Sequence, residues 1–471
     1  MNRRAFIGRL AAAGMIGLTW SSRPIFGEEK TNLPNLITIL IDDMGWKDTG
    51  FAGNTFIETP NLDRLAKSGI IFSQAYASAP NCAPTRACLM TGQYTPRHGV
   101  YTVVDERHKP GMPHHKILAA ESRAELDTGA HTIAEALGRC GYATGMVGMW
   151  NLGRGGRGPC TPRGQGFDMY VEPKDIGFER DKYRNADGQY LTDKMTDAGI
   201  DFIGNHKEGP FFLYMAYHAV HAPFDPKPQL LAKYQGKSTA KINDPAYAAS
   251  VEALDQNIGR LWEFLKSLKL HEKTYILFTS DNGGANQYIA PLRGGKGTLY
   301  EGGIRVPAFA VGPEIKPNQT SDEPISTIDF FPTLIELAGA SAGGVDGLSL
   351  VAAMTEGKKL SREAIYWHFP CYIGRGTPSS VIRFGDYKLI EFFETGSVEL
   401  YNLAEDPSEK KDLSRAQPAL AENIYKKLKK WQADINAPRP SEANPNYDPS
   451  AQRQRDRKDR GKGRGRKGPN K

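Results

Sequence analysis

Short apolar runs that each end in glycine and polar residues constrain this chain more than any other feature. Leu36 to Ile41 ends in Asp42-Asp43-Met44-Gly45, and Tyr275 to Phe278 ends in Thr279-Ser280-Asp281-Asn282-Gly283-Gly284. Phe211 to Tyr217 runs into His218-Ala219-Val220-His221-Ala222-Pro223, and Ala143 to Val147 into Gly148-Met149-Trp150-Asn151-Leu152-Gly153. Such runs read as buried strands. Helical stretches lie between them at Pro60 to Ser68, Thr132 to Cys140 and Tyr247 to Leu268, with Thr59-Pro60 and Asp244-Pro245 as starts. Strands alternating with helices predict an α/β fold, a mostly parallel sheet sandwiched by helices. Ligands of such sheets bind beyond the carboxyl ends of the strands. The four polar clusters all fall at those ends, so they can converge on one site.

A chain of 471 residues has room for one large α/β domain and a smaller companion. No apolar run approaches the roughly 18 residues of a membrane span, which excludes an integral membrane protein. The net charge of +7 suggests a nucleic-acid partner until it is located. Ala451 to Lys471 carries ten Lys/Arg and two Asp/Glu, leaving 50 and 51 elsewhere. The basicity therefore belongs to a tail without apolar residues, expected to be disordered. It could attract a polyanion or simply be solvated, and no specific nucleic-acid partner is predicted. At the other end, MNRRAFIGRLAAAGMIGLTW places Arg3 and Arg4 before a modest apolar run. That segment resembles a twin-arginine export signal, which implies the twin-arginine export machinery as partner and a bacterial periplasmic or extracellular location. The five cysteines (Cys82, Cys88, Cys140, Cys160 and Cys371) are an odd set, and none has Cys-x-x-Cys spacing.

Asp42, Asp43, Asp281 and Asn282 offer oxygen ligands only. Neighbouring carboxylates repel unless a cation sits among them, and hard oxygen donors favour Ca²⁺ or Mg²⁺ over zinc. His218 and His221 are three residues apart, so on a regular strand they face opposite ways. One of them is then expected to enter the site, unless the chain leaves the strand before Pro223.

The most specific segment is Cys82-Ala83-Pro84-Thr85-Arg86-Ala87-Cys88-Leu89-Met90-Thr91-Gly92. On residue chemistry alone Cys82 is either a core thiol or a thiolate activated by positive charge. Cys-x-Pro-x-Arg followed by Leu-x-Thr-Gly resembles the signature of the type I sulfatases, of the alkaline phosphatase superfamily, and so do further blocks in the same order. These are Asp42-Asp43-Met44-Gly45, Thr59-Pro60-Asn61-Leu62-Asp63, Ser280-Asp281-Asn282-Gly283, Gly295-Lys296-Gly297 with Tyr300-Glu301-Gly302-Gly303, and Gly385-Asp386-Tyr387-Lys388-Leu389. Leu400-Tyr401-Asn402-Leu403 and Glu405-Asp406-Pro407 follow, so the resemblance covers about Leu33 to Leu413.

The resemblance implies an alkaline-phosphatase-like domain with a smaller C-terminal antiparallel sheet, and hydrolysis of a sulfate ester. The expected divisions are an export signal at 1–30, a catalytic domain at 31–340, an α+β subdomain at 341–435 and the tail at 436–471. It also implies that a formylglycine-generating maturation enzyme oxidises Cys82 to Cα-formylglycine. One hydroxyl of the hydrated aldehyde attacks sulfur and the other later expels sulfate. The family's Ca²⁺ ligands map onto Asp42, Asp43, Asp281 and Asn282, with modified Cys82 completing the site. Arg86 is expected to stabilise the nucleophile, Lys296 to hold a sulfate oxygen and His221 to protonate the leaving oxygen. His368 is a candidate for shaping the substrate pocket. The implied substrate is a sulfated carbohydrate, ahead of an aryl sulfate.

One motif departs from the family. Most sulfatases read Gly-Lys-Trp-His-Leu-Gly where this chain has Gly148-Met149-Trp150-Asn151-Leu152-Gly153. Met149 carries no charge, and Asn151 is no base near neutral pH. Three readings follow: an active sulfatase drawing on Arg154, Arg157, His98, His114 or His115, a slow enzyme, or a silent relative that binds sulfated glycan. A phosphonate or phosphodiester hydrolase of the same superfamily is a further alternative.

Overall fold

The computed structural model describes residues 33–104, 109–153, 158–237, 244–284 and 289–451. The export-like segment, Arg154, Arg157 and the charged run after Ala451 lie outside the described residues. The strands are β1 (Asn35–Ile41), β2 (Ile70–Phe72), β3 (Ala75–Tyr76), β4 (Ala143–Gly148), β5 (Met169–Val171), β6 (Phe211–Tyr217) and β7 (Thr274–Ser280). They continue with β8 (Phe309–Val311), β9 (Gln319–Ser321), β10 (Ile325–Ser326), β11 (Ala364–Phe369), β12 (Ser379–Phe384), β13 (Tyr387–Phe392) and β14 (Val398–Asn402). Eight of them form one sheet in the order β5-β4-β6-β1-β7-β8-β2-β9. Only β8 runs against its neighbours in that sheet. Strands β11 to β14 form a separate antiparallel sheet, each pairing with the next. This is the mostly parallel sandwich that the alternation predicts, with the small antiparallel companion that the resemblance implies.

Helices cover both faces because the central strands are apolar on both. Ile37, Ile39 and Ile41 of β1 face a core that holds Leu62, Met195, Leu254 and Leu261. Leu36 and Leu40 face the other, with Leu89, Leu137 and Leu334. The covering helices include α1 (Pro60–Lys67), α2 (Cys82–Thr91), α3 (Thr95–His98), α4 (Ile133–Arg139), α5 (Leu191–His206), α6 (Pro228–Lys237) and α7 (Pro245–Ser267). Asp244 caps α7 as its position suggests, accepting from the amides of Ala246 and Tyr247. Thr59 does not cap α1. Its hydroxyl instead accepts the Gly50 amide (2.8 Å) and donates to Asp63 (2.9 Å).

One expectation about the C-terminal region changes. Residues 436–451, assigned to the tail, are held against 112–118: Leu118 donates to Glu442 and Asn444 to Lys116. The buried Asn444 amide also donates to the carbonyls of Met112 and His115. The concentrated basic run begins only at Arg453, beyond this docked segment. All five cysteines are free thiols. No helix among the described residues is long and apolar enough to cross a membrane.

Candidate active site

The four strands with polar ends stand side by side, in the order β4-β6-β1-β7, at the centre of the large sheet. Their outgoing loops are stitched together by backbone. Val220 donates to the Asp42 carbonyl (2.8 Å) and Asp42 to that of Ala219 (3.2 Å), while Asp281 donates to Ile41 (3.0 Å) and Met149 to Ala216 (2.9 Å). A sequence distance of 239 residues, between Ile41 and Ser280, thus collapses onto one sheet edge. Ser280 pins the Asp42-Asp43 turn, accepting from the Met44 amide and donating to the Ile41 carbonyl, each at 3.0 Å.

Cys82 opens α2, a helix buried along its whole length, and its thiol points into the carboxylate cluster. Sγ stands 3.3 Å from Asp42 Oδ1, 3.4 Å from Lys296 Nζ and 3.7 Å from Asn282 Nδ2. Ligand atoms of Asp42, Asp43, Cys82 and Asp281 all lie within 4.8 Å of one another. Arg86, one turn along α2 and fully buried, binds Asp281 Oδ2 through Nη2 (2.7 Å) and Nε (3.1 Å). It also reaches Asp42 Oδ2 (3.1 Å) and the Met149 carbonyl (2.5 Å). These donors go to the carboxylates and the loop rather than to Cys82 itself. Arg86 therefore bears on Cys82 through Asp42, whose Oδ1 faces the thiol.

Electrostatics make the cluster a place that could hold a cation and an unreactive one for a plain thiol. Burial would raise the Asp42 carboxyl, yet Arg86, His221 and Lys296 together hold it at about 2. Burial and the neighbouring Asp42 lift Asp281 to about 7. Burial, with Asp281 and Asp42 adding, pushes the Cys82 thiol well up, so it stays neutral and a weak nucleophile. Three carboxyl groups crowd around two cations, Arg86 and Lys296, and the raised Asp281 records the repulsion among them. The Asn282 amide nitrogen donates to Asp281 (2.7 Å), while its buried Oδ1 has no hydrogen-bond partner. An anionic, oxygen-rich donor set with an orphaned amide oxygen fits a hard divalent cation.

Lys296 arrives on a loop that only glycine can build. Gly295 and Gly297 hold φ values of +140° and +91°. A Cβ on Gly376 would sit 1.7 Å from the Gly297 carbonyl, so the β11–β12 connection presses directly on this loop. The ammonium it presents pairs with Asp43 Oδ1 at 2.5 Å.

Comparison with known proteins gives this geometry its context. The sulfatase profile matches residues 34–340, and that of the N-sulphoglucosamine sulphohydrolase C-terminal region matches 295–436. The chain belongs to the sulfatase family. A sulfatase of Formosa agariphila is 31% identical over 86% of this chain and 90% of its own length. Mouse N-acetylgalactosamine-6-sulfatase is 30% identical over 84% and 79%, respectively. The crystal structure of Ps i-CgsB superposes with a TM-score of 0.73 and 30% identity, covering 91% of this chain and 98% of its own. A sulfatase of this kind is a sulfuric ester hydrolase.

The histidines of this sulfatase divide in a way the sequence only partly anticipated. The strand β6 ends at Tyr217, so period-two alternation does not govern His218 and His221. Their rings lie nearly parallel, 5.2 Å apart and 27° inclined. His221 Nδ1 donates to the Ala222 carbonyl (2.5 Å), leaving Nε2 to face Asp43 Oδ2 at 3.7 Å. His368 does not join them. It is buried in β11, with Nδ1 at 3.2 Å from Ser380 and Nε2 at 2.9 Å from the Pro438 carbonyl, and its ring packs near Tyr101 and Trp431. Both ring nitrogens are thus engaged within the fold. His115 stacks on Tyr372 at 3.9 Å and lies edge-on to His114. His98 accepts the Val100 amide at Nδ1 (3.1 Å) and turns Nε2 to Cys88 (3.4 Å).

Burial, helped by Arg123, lowers the His98 pKa to about 3, and burial lowers that of His368 to about 4. An unfolded histidine titrates near 6.5. The unfolded chain therefore binds protons that the folded one refuses, and stability falls as pH drops below about 6.5. Replacing His98 with glutamine should remove one group's share of that slope, about 2 kcal/mol between pH 7.5 and 5. Urea unfolding of both proteins at the two pH values checks this, and identical slopes would refute it.

Some functional positions carried no readable signal. Asp48 accepts the Gly45 amide (2.6 Å) and the hydroxyl of Tyr247, 199 residues away, bracing the Asp42–Gly45 turn. At Met149 the contribution is a main-chain carbonyl, which any residue type supplies.

Proposed function

We propose that this sulfatase hydrolyses a carbohydrate sulfate ester with Cys82, matured to formylglycine, as the nucleophilic centre and Ca²⁺ held by Asp42, Asp43, Asp281 and Asn282. The observation that carries the reading is the buried, neutral thiol aimed among three carboxylates and Lys296. A thiol so placed gains little as a thiolate, whereas an oxidised, hydrated form would add an oxygen donor to an all-oxygen site. When bound, Ca²⁺ would polarise sulfate oxygens and neutralise developing charge.

The chain's own residues do the rest. Lys296, presented by the glycine loop, neutralises a sulfate oxygen beside Cys82. His221 carries a proton at Nε2, the nitrogen left free by Ala222, to the departing sugar oxygen. Arg86 fixes Asp42 and Asp281 and ties them to the Met149 carbonyl. The carbohydrate assignment draws on relatives: mouse N-acetylgalactosamine-6-sulfatase by its name, and Ps i-CgsB, also solved in complex with k-i-k-neocarrahexaose. Export through the Arg3-Arg4 segment would bring the enzyme to such substrates outside the cytoplasm.

The deciding experiment joins two measurements on protein from a host that performs the maturation. Mass spectrometry of the Cys82 peptide should show loss of the thiol for an aldehyde, and the same sample should release sulfate from sulfated oligosaccharides. An unmodified thiol with glycan binding alone would overturn the reading in favour of a silent glycan binder. Faster cleavage of phosphate or phosphonate esters than of sulfate esters would overturn it in favour of a phosphorus enzyme.

Asn151 adds a kinetic expectation. Loss of a general base typically costs about 10²–10⁴-fold in the step it serves. With His221 retained for leaving-group protonation, the first equivalent of alcohol should appear as a burst, followed by slower parallel release of alcohol and sulfate. Rapid-quench kinetics checks it, and strictly linear alcohol release from the first turnover counts against it.

A further inference from the structure

A second group of metal-ligating side chains stands beside the oxygen cluster. Ligand atoms of Asp181, His218 and His221 all lie within 4.8 Å of one another. His218 Nε2 is 4.0 Å from Asp181 Oδ1, and its side chain is only 4% exposed. Both of its ring nitrogens are buried without a hydrogen-bond partner. An imidazole buried with neither nitrogen satisfied is costly, and a buried orphan of this kind calls for a ligand.

The surroundings hold the group in place. Tyr183, two residues beyond Asp181, donates its hydroxyl to the carbonyls of both His218 (3.0 Å) and His221 (2.8 Å). Its ring also stacks on His218 at 5.3 Å and 24°. The loop bearing Asp181 is thereby clamped to the turn bearing the two histidines. Burial keeps His218 in the neutral form that ligates metal.

We propose that Asp181, His218 and His221 form a second metal site, selective for a borderline ion such as Zn²⁺, whose occupancy withdraws His221 from the sulfate ester. Two imidazoles and one carboxylate suit zinc and suit calcium poorly, the reverse of the donor set around Cys82. Ligand atoms on one tetrahedral zinc are separated by about 3.3 Å, given Zn–N bonds of about 2.0–2.1 Å. Rotation of the half-exposed Asp181 side chain can shorten its own 4.0 Å separation from His218. His221 Nε2 is the atom that faces Asp43, so an ion there takes the nitrogen assigned to the leaving-group proton. That inhibitory consequence rests on the reading of His221 given above, whereas the site itself does not.

The test is calorimetric titration of the full-length, calcium-saturated protein with Zn²⁺ alone, repeated with Co²⁺ to record its visible spectrum. One ion should bind with nitrogen ligation, unchanged in Cys82→Ala and weakened at least about tenfold in His218→Ala and in Asp181→Ala. Asp181→Ala alters an exposed loop side chain and guards against a folding defect in the buried His218 variant. Absence of such an ion, or affinity indifferent to both substitutions, overturns the site. In assays of sulfate release, Zn²⁺ should inhibit the parent protein, and Asp181→Ala should keep basal activity while resisting inhibition at least tenfold. Zinc binding that leaves hydrolysis untouched overturns the inhibitory half and the role of His221. A protein inactive on every sulfate ester would instead refute the proposed function, with the calorimetry still deciding the site.

Discussion

Cys82→Ala is expected to lower sulfate-ester hydrolysis by on the order of 10⁴–10⁶-fold, the usual consequence of deleting a nucleophile. Stability should change by about 1 kcal/mol or less. The sulfur makes only long polar contacts, between 3.3 and 3.7 Å, so a methyl group forfeits little packing. No neighbour can take its place. Arg86 is committed to Asp42, Asp281 and Met149, and Lys296 is paired with Asp43. Cys82→Ser should be comparably inactive, because a lone hydroxyl cannot act both as attacking group and as the group that later expels sulfate. Sulfate release measured by ion chromatography, beside urea unfolding of the same samples, checks both arms. Retention of a hundredth of the parent activity by either variant would sink the assignment.

What the sequence made legible was decided by how local each signal is. Strand ends that combine an apolar run with Asp, Asn or Gly announce themselves within six or seven residues, and the four so found became neighbours in the sheet. Metal-type oxygen donors were readable by residue type as well. Properties that depend on a partner far along the chain were not. Thr59-Pro60-Asn61-Leu62-Asp63 resembled a family block but carried no visible purpose. In the fold Asp63 accepts the Phe51 amide (2.7 Å), while Asp255 of α7 accepts the Leu62 amide (2.7 Å) across 193 residues. The block is a latch joining α1 to α7. For His368 too, the partners Ser380 and Pro438 come from a paired strand and a distant loop, which no local pattern announces. At His218 the stated exception applies, because β6 ends at Tyr217 and period-two alternation describes strands only.

The same argument explains the last conserved-looking blocks, and it carries the second large expected effect, on stability. Lys388, in the block that follows the Gly385 turn, extends from β13 with no exposure to solvent. Its ammonium meets Glu301 Oε1 and Glu409 Oε1, each at 2.9 Å, and both glutamates are as fully buried. Glu409 also accepts the Glu301 amide (2.7 Å), and Glu301 accepts the Tyr76 hydroxyl (2.8 Å) from β3. One cation therefore ties the small sheet to the segment that follows the Lys296 loop. Burial and the charge of Glu301 lift Glu409 to about 7 despite Lys388, so one of the two carboxylates is readily neutral. Lys388→Met should then cost about 3–5 kcal/mol, because it strands buried carboxylates without a counter-charge. Glu409→Gln should cost no more than about 1.5 kcal/mol, since Lys388 keeps Glu301 and the amide still accepts a hydrogen bond. Urea unfolding of the two variants measures the difference. Equal losses would show that the carboxylates act as independent charges rather than as a pair sharing one ammonium.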